Sequence, residues 1–368
     1  MTGSIYYIGD PGPGRNESLQ IIRQFGIEPF RLGHSEQMPC LGDDRKPLAI
    51  VVCPDVEDRC SYITALRERR DLSGVPVLAR VERGTDAEVE AAIHDGADDV
   101  LPDGTEWHFT AFLAHLGKVE DWSVLRAPQG IALVGEMDRA TRVRVATTLR
   151  KGGYDVVFGA EPMELVMNIP VSAPRIVVCS ASLARGAIEL VRNGELVLHG
   201  AGVPWVVYGN DVDADISIVP VPGLIFKVGV VRDIVNTEQL IFAVNEVVAP
   251  DKPEVRLTPR LLYGTAVQFG AESTEPRLRG FTYNVNNGGA FVRTLVPLPR
   301  GARVLMRFRV PFSATSVEAI GQVVWVREFS NSSGPMSPPG MGLQFVEWQE
   351  GHREIYEEAY GRLRACQE

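Results

Sequence analysis

The chain has 368 residues, 45% hydrophobic and 23% charged, and 37 Lys+Arg against 47 Asp+Glu leave a net charge of −10. At about 100 to 200 residues per domain, this predicts two or three globular domains, each able to bury its own core, and excludes a disordered chain. No apolar run approaches the ~20 residues that span a bilayer, and no basic n-region precedes an apolar stretch at the N-terminus. Five cysteines (Cys40, Cys53, Cys60, Cys179, Cys366) lack CxxC spacing. Neither a disulfide framework nor a zinc site is indicated, and a reducing cytoplasm is expected.

In chain order, the first segment offers a strand at IYYIG (residues 5–9), a helix at ESLQIIRQF, a buried strand at LAIVVC (48–53) and a helix over 61–70. It continues with a strand at VPVLARV (75–81), a helix at DAEVEAAIHDG, a strand in GADDVLP (96–102) and a helix through His115. Strands that are apolar on both faces and alternate with helices predict a parallel sheet covered on both sides. The second segment repeats the order: GIALVG (130–135), a helix over 139–151, GGYDVVFG, PRIVVC (174–179), a helix over 187–192, VPWVVYG (203–209), LIFKVG (224–229) and a helix over 237–248. The shared IVVC and VP strands point to a duplicated fold. The GDPGPG run at 9–14 has the order GxxGxG with two prolines, which fits a turn rather than a phosphate loop.

Both halves resemble response-regulator receiver domains, of flavodoxin-like fold, on GGYDVVFGAE and GADDVLP. The resemblance implies an acid pair for Mg²⁺, an acceptor Asp ending strand three, a Ser/Thr ending strand four and a Lys ending strand five. Here the first half has Asp10 beside Pro11, Cys53-Pro54, Ala79 or Arg80, and Pro102-Asp103. The second has Glu136 between Gly135 and Met137, Cys179-Ser180, Tyr208-Gly209, and one match in Lys227. A thiol cannot form an acyl phosphate, so both halves are expected to be pseudo-receivers. Asp55, two places past the expected acceptor, is the carboxylate that a register shift would bring in.

After Pro250 the pattern changes to short alternating strands with Gly or Pro breaks at 262–269, 280–285, 289–294, 303–310, 317–328 and 340–348, then a helix over 352–366. This predicts an antiparallel barrel. The charge balance changes too: residues 251–368 hold 14 basic against 12 acidic side chains, while residues 1–250 hold 23 against 35 and cannot bind nucleic acid. Residues 251–327 carry 11 cations, ten of them arginine, against 5 acids, an anion-attracting region on an acidic protein. The domain limits read as 1–120, 129–249 and 252–366, with linkers at the Pro-rich and charged stretches between them.

The last segment resembles a PilZ domain, the six-stranded barrel that senses cyclic di-GMP in bacteria. Two motifs carry it: RxxxR as Arg256-Leu257-Thr258-Pro259-Arg260, and [D/N]xSxxG as Asn284-Val285-Asn286-Asn287-Gly288-Gly289, followed by AFV. The resemblance implies a cyclic di-GMP site at Arg256, Arg260, Asn284, Asn286 and Gly289. Guanidinium forks suit phosphate and the O6/N7 edge of guanine, Asn284 suits a guanine edge, and Gly289 suits close backbone approach. Gly288 suits the turn. Asn286 replaces the usual Ser with a bulkier amide, and Val255 stands where a third arginine would favour an intercalated ligand pair, so one ligand molecule is expected. The prolines around the arginines predict an arm over 250–262 that is extended and poorly tied down without ligand.

The function expected is a non-enzymatic cytoplasmic effector: cyclic di-GMP binds the barrel, and the pseudo-receivers dock signalling, motility or polarity proteins. The alternative is a nucleotide-independent scaffold. No catalytic residue, metal site or cofactor is expected, since the six histidines (His34, His94, His108, His115, His199, His352) are scattered and no paired metal carboxylates occur.

Overall fold

The computed structural model describes residues 3–9, 13–33, 46–56, 58–72, 75–116, 129–194, 202–209, 228–232, 234, 237–248, 258–273, 276, 278–327 and 338–367. The chain divides into two compact units. Met1–Trp122, Val255–Asn331 and Pro338–Glu368 form one, and Ser123–Glu254 with Ser332–Ser337 the other.

The first unit opens with β1 (Ser4–Ile8), α1 (Pro13–Gln24), β2 (Glu28–Leu32), β3 (Ala49–Val52), α2 (Arg59–Glu68), β4 (Val77–Val81), α3 (Asp86–His94), β5 (Asp99–Pro102) and α4 (Glu106–Leu116). The strands are parallel in the order β2-β1-β3-β4-β5. Every residue of β3 and β4 is buried, because helices cover both faces and leave no polar side to the pleat. A capping box fixes the start of α3: Thr85 Oγ1 accepts from the Glu88 amide at 3.3 Å, and Glu88 Oε2 accepts from the Thr85 amide at 2.9 Å.

The same unit contains the barrel: β11 (Leu261–Leu262), β12 (Ala266–Ala271), β13 (Leu278–Asn286), β14 (Gly289–Arg293), β15 (Arg303–Arg309), β16 (Ser316–Arg327) and β17 (Gly340–Trp348), then α9 (His352–Gln367). Its pairings are antiparallel in the order β11-β13-β12-β15-β16-β17-β14, and β13 pairing with β14 closes a ring of six strands with β11 laid beside β13. Helix α9 packs on the barrel through Tyr356, fully buried and edge-on to Phe308 and Phe345 at 5.9 and 5.3 Å.

Buried side chains of the first α/β module and of the barrel form one apolar cluster. Polar contacts join them as well. Arg293 donates to the Ala97 carbonyl at 2.7 Å, Arg279 to Asp86 at 3.1 Å and Thr265 to Glu90 at 3.0 Å. Arg309 pairs with the same Glu90. Asp99, only 2% exposed, accepts from the Leu295 amide at 2.6 Å and from Thr294 Oγ1 at 3.0 Å.

The second unit holds β6 (Gly130–Gly135), α5 (Arg139–Lys151), β7 (Tyr154–Gly159), α6 (Pro162–Ser172), β8 (Ile176–Ser180), α7 (Ala181–Arg192), β9 (Trp205–Tyr208), β10 (Val228–Val231) and α8 (Thr237–Val248). The parallel order β10-β9-β8-β6-β7 repeats that of the first module, and a separate core lies on each face of the sheet. The architecture is therefore two flavodoxin-like parallel sheets, a closed six-stranded antiparallel barrel and a C-terminal helix.

Some elements differ from what the sequence predicts. β2 and α6 went unread, and α7 begins at Ala181 rather than near 187. The last strand of the second sheet lies at Val228–Val231 rather than over 224–229; residues 224–227, with Lys227, fall outside the described residues.

Candidate ligand-binding site

The hairpin joining β13 to β14 turns over Asn287 and Gly288, with Asn286 opposite Gly289. Asn286 Oδ1 accepts from the Gly288 amide at 3.0 Å, the side chain closing the turn that its own backbone opens. A register irregularity between Thr282 and Asn284 re-aims the strand just before Asn284, which is 8% exposed and lies across from Phe291 on β14 and Leu262 on β11.

These residues border an open cleft of about 280 Å³. Arg260, Asn284, Asn286, Gly288, Gly289, Ala290 and Phe291 line it together with Val324 and Trp325 of β16 and Gly342, Leu343 and Gln344 of β17. Phe291 and Trp325 stack with ring centroids 5.0 Å apart and planes 14° apart. Gly342 makes room for the indole, since a Cβ there would stand 2.1 Å from Trp325 Nε1. One cleft thus offers a guanidinium, three carboxamides and an aromatic pair, a set suited to a planar, hydrogen-bonding, anionic ligand.

A family model, the PilZ domain, matches residues 254–360, which contain every strand and side chain of this cleft. Residues 254–360 are a PilZ domain. No curated protein matches the chain. Among solved structures it is similar to the Bacillus subtilis inhibitor of motility, at 19% identity over 32% of this chain and 57% of that one, with a TM-score of 0.26. It is also similar to a two-component system response regulator/GGDEF domain protein, at 18% identity over 66% of this chain and 97% of that one, TM-score 0.32. A third is the signal receiver domain of a histidine kinase from Syntrophus aciditrophicus, at 17% identity over 33% of this chain and 96% of that one, TM-score 0.25. The chain spans 57% of the length of the motility inhibitor.

The PilZ cleft brings together Arg260, Asn284, Asn286 and Gly289. Arg256 lies outside the described residues. The close approach at Gly289 is to the protein itself: a Cβ would stand 2.1 Å from the Leu343 carbonyl oxygen, so pairing of β14 with β17 requires the glycine. Phe291 and Trp325 were read from the sequence only as strand residues, and the signal that marks Trp325, its seat over Gly342, exists only once β16 and β17 are in register.

Two further expectations are corrected. The arm is held from Pro259 onward: the Tyr360 hydroxyl donates to the Pro259 carbonyl at 2.7 Å, Leu261 and Leu262 pair with β13, and the Tyr263 amide donates to the Tyr283 carbonyl at 3.2 Å. The arginines of the PilZ domain are not a uniform anion-attracting surface. Arg279, Arg293 and Arg309 dock the first α/β module, Arg303 bridges Glu272 and Glu347, each at 2.6 Å, and Arg307 donates to Glu318 at 2.6 Å.

At the carboxyl ends of the central strands of both parallel sheets, buried side chains occupy the positions where the sequence resemblance places a phosphorylation site. In the first, Cys53 follows β3 fully buried, and Arg80 of β4 is 2% exposed, donating to Asp103 at 2.8 Å, Ser18 at 2.6 Å and Glu106 at 3.3 Å. In the second, Tyr208 donates to Glu136, and burial, then that contact, raise the phenol's pKa. Burial also pushes the Cys179 thiol well above its ordinary range, so it is a core group rather than a nucleophile. Asp10 lies outside the described residues. Among the described residues no group of three His, Cys, Asp or Glu side chains could hold a metal, and no helix is long and apolar enough to cross a membrane.

Proposed function

We propose that the PilZ cleft binds cyclic di-GMP and that the chain is a non-enzymatic cytoplasmic signalling effector whose receiver-like modules dock signalling, motility or polarity proteins. The observation that carries this is the convergence of Arg260, Asn284 and Asn286 on one cleft floored by the Phe291–Trp325 pair. Arg260, joined by Arg256, donates paired bonds to phosphate or to guanine O6 and N7. The Asn284 amide reads a guanine edge. Asn286 Oδ1 accepts from the Gly288 amide, and the Asn286 amide nitrogen is the group that donates to the ligand. Trp325, half-buried and stacked on the buried Phe291, offers an aromatic surface to the base. Gly289 supports the site by seating β14 against β17.

A nucleotide-independent scaffold is the second reading, favoured by the commitment of Arg279, Arg293 and Arg309 to the first α/β module rather than to a ligand. Thermal unfolding separates the two. A ligand that binds only the folded state at a hundred times its Kd adds about 2.7 kcal/mol of stability. Cyclic di-GMP should raise the melting midpoint of the wild-type chain and not that of Arg260→Ala; a scaffold melts the same with and without the nucleotide.

A further inference from the structure

Helix α9 carries Tyr356 and Tyr360 one turn apart on a buried face, and each hydroxyl leaves that face to reach one of the two chain segments that build the cleft. Tyr360 donates to the Pro259 carbonyl at 2.7 Å, one residue before Arg260. Tyr356 donates to the Asn286 carbonyl at 2.8 Å, at the hairpin that also presents Gly288 and Gly289. Neither ring can drift. Tyr356 is fully buried among Phe308, Phe345 and Trp348, and Tyr360, 3% exposed, stacks on it at 6.4 Å.

The same stretch pairs with β13 through Leu261 and Leu262, and the Tyr263 amide donates to the Tyr283 carbonyl at 3.2 Å, so the Tyr360 bond extends this anchorage to the residue before Arg260. We propose that Tyr356 and Tyr360 are positioning residues for the ligand, fixing the separation between Arg260 and the Asn286 hairpin before anything binds. This rests on the reading of the cleft as a cyclic di-GMP site. The physical effect is pre-organisation: an arm already ordered at Pro259 loses less conformational freedom when Arg260 closes on a phosphate or a base. Neither tyrosine needs to touch the nucleotide.

The test compares three hydroxyl deletions by isothermal titration with cyclic di-GMP. Tyr360→Phe and Tyr356→Phe keep the rings and their packing while removing one bond each. Tyr263→Phe is the matched control, because its hydroxyl donates to the Arg309 carbonyl at 2.9 Å, in the same segment but away from the carbonyls that carry the site. A buried neutral hydrogen bond of about 1 kcal/mol corresponds to a five- to tenfold change in Kd. Tyr360→Phe and Tyr356→Phe should weaken binding by that factor, Tyr263→Phe by less than twofold, and hydrogen exchange over 258–262 should quicken in Tyr360→Phe. If wild type binds and Tyr360→Phe binds within twofold of it, or if Tyr263→Phe weakens binding equally, the positioning role is overturned while the cleft reading stands. Failure of the wild type to bind overturns both.

Discussion

Tyr208 donates its hydroxyl to Glu136 Oε2 at 2.7 Å across the carboxyl ends of the second parallel sheet, both side chains nearly buried. In a receiver these two strand ends would supply a metal-binding acid and a small hydroxyl facing a phosphoryl group. Here a phenol fills the space and satisfies the acid, whose other oxygen accepts from the Asp138 amide at 2.8 Å. Acetyl phosphate or beryllofluoride with Mg²⁺ should therefore leave the mass and melting midpoint of the chain unchanged. A stoichiometric mass gain, mapped to Asp55 or elsewhere in either module, would show that this pocket logic is wrong. Tyr208→Phe strands a buried carboxylate oxygen and should destabilise the second unit by about 1–3 kcal/mol, read by denaturant titration.

Gly289 and Gly288 make a matched pair for separating strand packing from ligand approach. A methyl at Gly289 meets the Leu343 carbonyl oxygen, whereas at Gly288 nothing lies nearer than Asn286 Oδ1 at 3.8 Å. Gly289→Ala should lower the stability of the barrel by about 1–3 kcal/mol or more even without nucleotide. Gly288→Ala should stay within about 0.5 kcal/mol. Thermal melts of the two ligand-free variants measure this directly.

Trp325 should act on the ligand as well as on the packing of Phe291. Base–aromatic stacking is worth about 1–3 kcal/mol per base by alanine substitution, so Trp325→Ala should weaken cyclic di-GMP about ten- to hundredfold. Trp325→Phe should recover most of the affinity. Equilibrium dialysis with labelled nucleotide gives the comparison.

How much of this was legible in the sequence depended on how local the causes were. The six strands of the closed barrel were, because alternation and Gly or Pro breaks set each of them separately, whereas the two-residue β11 was not separated from β12. β2 was not: within Glu28–Leu32 the one buried residue is Pro29, and Phe30 is 49% exposed, held through its stack on Tyr6 at 5.3 Å. α6 was not, because Pro162 and Pro170 read as breaks although one opens the helix and the other sits in its last turn. The arginine cluster misled for a different reason. The acids that neutralise Arg279 and Arg309 lie 193 and 219 residues away, at Asp86 and Glu90, and no local count of charge registers them. The gathering of Arg260, Asn284 and Asn286 at one cleft was legible because their motif spacing is itself the signal.

Asp99 should make the contact between the first α/β module and the barrel depend on pH. Burial is the largest influence on it and, despite the amides of Leu295 and Val100, the Thr294 hydroxyl and Arg293, raises its pKa to about 7 from 3.8. The other charges nearby are Asp98 and its partners Arg67 and Arg293. With the folded pKa above the unfolded one, the folded chain holds the extra proton between those values, so this contribution to stability is complete below about pH 4 and lost as pH rises through about 7. Melting midpoints between pH 5 and pH 8 should show that loss in wild type and a flatter profile in Asp99→Asn. The amide should also cost about 1–3 kcal/mol at low pH, because its NH₂ group faces a donor.

The central claim is that the cleft between the β13–β14 hairpin, β16 and the Arg260 arm is a nucleotide site. Isothermal titration of the intact chain with cyclic di-GMP, run alongside Arg260→Ala and Arg256→Ala, tests it most directly. The account predicts one ligand molecule per chain, binding at micromolar concentration or tighter, with at least tenfold weakening in each variant. Absence of heat from the wild-type chain at about 100 μM nucleotide, or undiminished binding by Arg260→Ala, would contradict it.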